Sequence, residues 1–135
     1  MVKIIMGPKG SGKTKQFIAD VNEAVKSEAG SMVCIENGKN LTYDVDYRVR
    51  LINAKEYGVN SLTLLKGFIS GLHAGNFDIT HVFVEGLYKI IGADIQQAED
   101  FVLWCEKFGA ENDMSFTMTV SEDPANAPES MKKYL

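Results

Sequence analysis

The sequence predicts an α/β fold, a mostly parallel five-stranded sheet with helices on both faces. Three observations lead there. Short apolar runs of strand length alternate along the chain with segments whose apolar residues recur at helical spacing. Two of the runs, Val2 to Met6 and Ile79 to Val84, are apolar almost without a break, as strands covered on both faces of a parallel sheet must be. Glycine-containing breaks at Gly7 to Gly12, Gly30, Asn37-Gly38, Gly58, Gly75-Asn76 and Gly109 separate these segments, with no long linker or low-complexity tail between them. At 135 residues and 45% hydrophobic content, residues 1–135 read as one domain with a single closed core.

Each element has its own warrant. Val2 to Met6 is expected as a central strand. From Lys13 to about Ala29, Phe17, Ile18, Val21 and Val25 recur at helical spacing, and Gly30 stands where a left-handed C-terminal cap belongs. Met32 to Ile35 is a short strand ended by the turn Glu36-Asn37-Gly38, and the polar stretch Gly38 to Asp46 carries no assignment. Tyr47 to Ile52 alternates, with Tyr47, Val49 and Leu51 on one face and Arg48 and Arg50 on the other, the pattern of a half-exposed edge strand. Ser61 can cap a helix whose stripe is Leu62, Leu65, Ile69 and Leu72, widened by Leu64 and Phe68 and ended at Gly75-Asn76. Ile79 to Val84 is the next strand, closing on Glu85-Gly86. Asp94 with Gln97 resembles a capping box and opens a helix with Ile95, Ala98, Phe101, Val102, Cys105 and Phe108 inside, closed by Gly109. Ser115 to Val120 is the last strand, and a short helix from about Ala127 to Tyr134 has Pro128 in its first turn.

Eighteen acidic against fourteen basic side chains give a net charge of -4, so no global positive field advertises nucleic acid or an anionic membrane. No apolar stretch approaches the about 20 residues of a membrane span, and the apolar start halts at Gly7, too soon for a signal peptide. Cys34 and Cys105 have neither CxxC spacing nor nearby paired histidines, which is expected of buried reduced thiols in a cytoplasmic protein. His73 and His81 are isolated and receive no catalytic assignment.

Chemistry concentrates in one segment. Gly7-Pro8-Lys9-Gly10-Ser11-Gly12-Lys13-Thr14 satisfies G-x-x-x-x-G-K-[ST] at every fixed position, between an expected strand and an expected helix. Glycines there permit unusual backbone angles and close approach of successive N–H groups to a polyphosphate, while the helix N-terminus adds its positive dipole. Lys13 supplies a mobile charge for the β and γ phosphates, and Thr14 offers a hydroxyl to Mg²⁺.

By this loop the chain resembles the P-loop NTPase superfamily, and it is similar at this level to RecA-like and thymidine-kinase-like cores. The resemblance implies a three-layer α/β/α sandwich, an ATP or GTP site and Mg²⁺. Members resemble one another in a second feature, an apolar strand ending in an acid that holds Mg²⁺, and His81-Val82-Phe83-Val84-Glu85 is the match. The superfamily usually has aspartate there. Glu85 is therefore the magnesium acid, the favoured reading, or the neighbouring catalytic glutamate, with Val84 then in the magnesium acid's place, or a plain surface glutamate at a strand end. Under the favoured reading no base for activating water is evident. Ser121, just after the last strand, is either a γ-phosphate sensor or a plain strand-ending serine.

Arg48 and Arg50 are the only two arginines, too few for the lid of a nucleotide kinase. They either keep an edge strand soluble, as favoured here, or supply an arginine finger across a subunit interface. The stretch Val120-Ser121-Glu122-Asp123-Pro124 lacks the N-K-x-D guanine reader of GTPases, so ATP is preferred. Tyr43, Tyr47 and Tyr57 are available for base stacking or for packing. The leading expectation is a nucleoside triphosphate (ATP)-binding protein with slow or partner-stimulated, Mg²⁺-dependent ATPase activity, in which Lys13 and Glu85 serve catalysis, working as a homo-oligomer or with a protein partner. A small nucleoside or nucleotide kinase and a non-enzymatic, nucleotide-dependent interaction module are the alternatives.

Overall fold

The computed structural model describes residues 1–135. Five strands, β1 (Val2–Met6), β2 (Ser31–Glu36), β3 (Val49–Asn53), β4 (Ile79–Glu85) and β5 (Ser115–Val120), form one sheet in the order β1-β5-β4-β2-β3. Every pairing is parallel, so each neighbouring strand has to be reached by a crossover. Helices supply most of these: α1 (Lys13–Ser27) after β1, α2 (Leu62–Gly75) between β3 and β4, and α3 (Leu87–Ile91) with α4 (Ile95–Asn112) between β4 and β5. A short α5 (Glu129–Lys132) ends the chain.

The sheet divides the interior into two packed layers rather than the one closed core expected. On one face Phe17, Val21 and Ala24 of α1 bury against Met32, Cys34, Val49 and Phe83. On the other, residues of α2, α3, α4 and α5 bury against Val33, Ile35, Val82, Val84, Phe116 and Met118. Helices on both faces of a parallel sheet are what an α/β/α sandwich requires. No helix is long and apolar enough to cross a membrane. Cys34 and Cys105 are free and buried, and burial pushes both thiols upward, which keeps them protonated and inert.

The position of β1 is a correction. Expected at the centre, it is an edge strand that pairs with β5 alone. Its apolar sequence has another cause: the C-terminal segment covers its free side, where the Ile4 N–H donates to the Tyr134 carbonyl at 2.8 Å and Met131 is wholly buried. The opposite edge is β3, as its alternation predicts, but it begins at Val49 and leaves Tyr47 92% exposed. Ile52 is buried on the side that carries Arg50, because that side packs toward α2.

Smaller departures have local reasons. Helix α1 stops at Ser27 with an extended cap at Glu28, and Gly30 (φ +94°) lies beyond it, squeezed against Asp78 and Thr80. Ser61 caps α2 as expected, accepting from the Leu64 N–H at 3.2 Å, although Leu64 itself is 49% exposed and does not widen the stripe. Asp94 caps α4 by accepting from the Gln96 and Gln97 N–H groups. That helix runs through Gly109 to Asn112 and is closed by Asp113 in the left-handed region (φ 54°). The terminal helix is confined to Glu129–Lys132, behind a 3-10 turn at Pro124–Asn126. Leu41 and Val45 anchor the unassigned polar stretch to the α1 side of the core.

Candidate functional site

In a parallel sheet all strand C-termini lie along one edge, and there the ligand-binding loops of open α/β sheets gather. Here that edge carries Met6, Glu36, Asn53, Glu85 and Val120 at the strand ends. The segment Gly7 to Gly12 leaves β1 and turns directly into α1. Gly10 (φ +80°) and Gly12 (φ +85°) adopt left-handed backbone that other residues enter only with strain, and Gly12 is the N-cap of α1 with no side chain capping the helix. Pro8, Lys9, Gly10, Ser11, Gly12 and Thr14 are exposed, Lys13 is half-buried and Gly7 is buried. The Gly7 N–H donates to the Val120 carbonyl at 3.3 Å, and the Ser11 N–H to the Pro8 carbonyl at 3.3 Å. The loop is thus pinned to β5 at its base and left open at its rim.

Lys13 Nζ donates to the Pro8 carbonyl at 2.9 Å. Its pKa is lowered, first by partial burial, with Lys89 and Lys9 adding to the fall while Glu85 opposes it. The Lys9 and Lys89 ammonium groups thus both bear on that of Lys13, beside the loop of a chain whose net charge is -4. Like charges gathered at a strand-end cleft favour an incoming anion.

The structure brings Thr14 and Glu85 together: the Thr14 hydroxyl donates to Glu85 Oε1 at 3.3 Å. Glu85 is 9% exposed and ends β4, which β5 separates from β1. The following Gly86 N–H donates to Thr119 Oγ1 at 2.7 Å, holding the strand end in place. Ser121 is half-buried directly after β5, so its backbone lies between the loop strand and the Glu85 strand. Its segment is stapled to α3, where the Tyr88 hydroxyl donates to Glu122 Oε1 at 2.7 Å and Asn126 Nδ2 donates to Oε2 at 3.0 Å. Those two hydrogen bonds lower the Glu122 pKa, while burial, with the carboxylate beside it, raises that of Tyr88.

Two residues of this edge were missed in the sequence. Glu36, read as part of a turn, is the last residue of β2, 2% exposed, and is the register partner of Glu85. Its carboxylate accepts from the Asn40 N–H at 3.0 Å and the Leu41 N–H at 3.2 Å. A signal existed, since Glu36-Asn37-Gly38 ends its apolar run much as Glu85-Gly86 does. Lys89 lies on α3, a helix of five residues that is too short to show a period.

Arg48 and Arg50 stand at or before β3, at the far edge of the sheet from the loop. Arg48 is held by Asp46, with Nη2 to Oδ2 at 2.9 Å and Nε to Oδ1 at 3.1 Å, and this pairing pulls the Asp46 carboxyl down to about 2. Tyr43 is 99% exposed and Tyr57 leans on Phe68, so only the last of the three tyrosines packs.

Nowhere does the chain gather three His, Cys, Asp or Glu side chains able to hold a metal ion by themselves. Thr14 and Glu85 offer two hard oxygen ligands at one point, a set that suits Mg²⁺ when most of its coordination comes from phosphates and water. No family model matches the chain, and no curated protein emerges as a relative.

Proposed function

We propose that this chain is a P-loop NTPase that binds ATP at Gly7 to Thr14 and hydrolyses it slowly or under stimulation by a partner. The observation that carries the reading is the meeting of Thr14 with Glu85 beside an open glycine loop ringed by Lys9, Lys13 and Lys89. A helix start, a hydroxyl, a carboxylate and three ammonium groups converge at one strand-end edge, which is the inventory a magnesium polyphosphate needs.

Lys13 would exchange the Pro8 carbonyl for phosphate oxygens, trading a neutral acceptor for an anionic one and strengthening the bond. Magnesium delivered with the nucleotide would be held by Thr14 and Glu85 and would neutralise phosphate charge. Ser121, next to the Val120 that anchors the loop, would contact the terminal phosphate. Glu36, the register partner of Glu85, already has each carboxylate oxygen engaged by a backbone N–H, of Asn40 and of Leu41, so it holds its own loop rather than a water. A partner that draws the Asn40-Leu41 segment away would free this carboxylate to orient water.

Titration calorimetry tests the reading. Wild-type chain is expected to bind Mg-ATP, and Lys13→Ala to bind it about tenfold to a hundredfold more weakly, the effect of losing one charge-assisted hydrogen bond. Glu85→Gln is expected to weaken Mg-ATP while leaving ATP without magnesium unaffected. Equal affinity of wild type and Lys13→Ala for Mg-ATP would sink the assignment.

A further inference from the structure

The two edges of the sheet are treated differently. The free side of β1 is covered by the C-terminal segment through Tyr134, whereas nothing follows β3 in the strand order. Outside the ladder with β2, the only backbone hydrogen bond made by a β3 residue is from the Val49 N–H to the Asp46 carbonyl, at 3.0 Å. The rest of the outward row of N–H and C=O groups is unpaired, which is a template for another strand.

Along this edge run three hollows of about 260, 240 and 460 Å³, and Arg50 belongs to the wall of each, joined in the first by Glu36 and by the Lys39–Glu56 ion pair. Ile52, Phe68 and Leu72 give the middle hollow an apolar floor, with Tyr57 at its rim. Arg50 is exposed and enters none of the chain's ion pairs, in contrast to Arg48, which Asp46 holds. A free guanidinium, shared by adjoining hollows beside an apolar floor, is fitted to a carboxylate flanked by an apolar side chain.

We infer that the β3 edge docks an extended acidic peptide segment of a protein partner, which adds to the sheet as a sixth strand. Main-chain hydrogen bonds to the free edge provide the general affinity, and side chains on alternate residues provide the choice. On the α2 side, an acidic residue of the peptide lies against Arg50 and an apolar residue two positions away lies against Ile52, Phe68 and Leu72. The same arginine disfavours a second copy of this chain as the occupant. Antiparallel pairing of two β3 strands about a two-fold axis through their middle sets the two Arg50 side chains opposite or diagonal to each other, where like charges repel. This inference is independent of nucleotide binding.

The test uses a fluorescein-labelled nine-residue peptide with glutamate and valine alternating on one face and threonine on the other, and its counterpart with lysine in place of glutamate. Anisotropy titration is expected to show saturable binding of the glutamate peptide only. Amide hydrogen exchange should slow in β3 when it binds. Arg50→Gln should weaken that binding by about tenfold, and Arg50→Glu should reverse the preference toward the lysine peptide. Both substitutions are at an exposed side chain and leave the core untouched. Equal binding of the two peptides, no binding of either, or protection elsewhere than β3 overturns the inference. So does sedimentation showing a peptide-free dimer with protected β3 amides, which would make a second copy the occupant.

Discussion

His81 lies where a charge is costly, 2% exposed and stacked on Phe83 with ring centroids 3.9 Å apart. The Glu28 carboxylate, 2.8 Å from Nδ1, can only accept, so Nδ1–H donates to it and Nε2 accepts from the Thr117 hydroxyl at 2.8 Å. Burial lowers the His81 pKa and outweighs Glu28, which raises it. The unfolded chain therefore takes up this proton at a higher pH than the folded one, and stability is complete above the ordinary value of 6.5 and declines as pH falls below it. Between about pH 7 and 5 the thermal midpoint of wild type should fall more steeply than that of His81→Gln; parallel curves would remove His81 from the account. At this scale the glycine loop was fully legible, because its residue types and spacing are local. Glu36 and Lys89 were not, because one joins the site through the register of β2 on β4 and the other through a single helical turn and a half. His81 stands near the start of β4, at the opposite end of the strand from Glu85.

Elements show where pattern reading succeeds and what it lacks. Helix α2, capped by Ser61 and buried through Leu65 and Ile69, and strand β5 stand where the spacing puts them, since an amphipathic period and a short apolar run are properties of the segment alone. The rank of β1 in the sheet is not a property of β1. An edge strand whose open side is covered by another segment reads the same as a central one, and the cover lies at the other end of the sequence. Gly109 misled for a related reason. A glycine near a helix end suggests a stop, but this one is buried inside α4, where an added Cβ would stand 2.5 Å from the Met114 carbonyl oxygen and 3.4 Å from the Phe116 ring. Its smallness serves the return of the chain from α4 into β5. Gly109→Ala should therefore cost about 1 to 3 kcal/mol, the range for overpacking, despite the better helix propensity of alanine. Urea denaturation would show it as a lower midpoint at unchanged slope, and a midpoint equal to or above wild type would refute the close-approach reading.

Across the whole molecule, the C-terminal segment closes the larger of the two cores as well as the β1 edge. Met131 is fully buried among residues of that core, and the Tyr134 carbonyl beyond it takes the Ile4 N–H. Met131→Ala should destabilise the chain by about 2 to 5 kcal/mol and, by loosening the cover of β1, should raise its tendency to aggregate through that edge. Calorimetry with light scattering would register both; a thermal midpoint within error of wild type would show that the segment is an ornament to the fold. The alternation of strands and helices and the presence of both outer layers were legible in the sequence, while the order of strands, a matter of long-range pairing, was not.

That strand order has a consequence for how the molecule comes into being. Among the strands β1 pairs only with β5, which comes after the other four in the sequence, and its loop is tied to Val120 at the very end of that strand. Pairings this distant in sequence are slow, because a long chain must close before any contact offsets the lost entropy. While β2, β3 and β4 can assemble as the chain emerges, β1 must wait unpaired until β5 and the C-terminal segment are made. The glycine loop is then among the last parts to be set in place, so a nascent or truncated chain would hold much of the fold before it acquires the site.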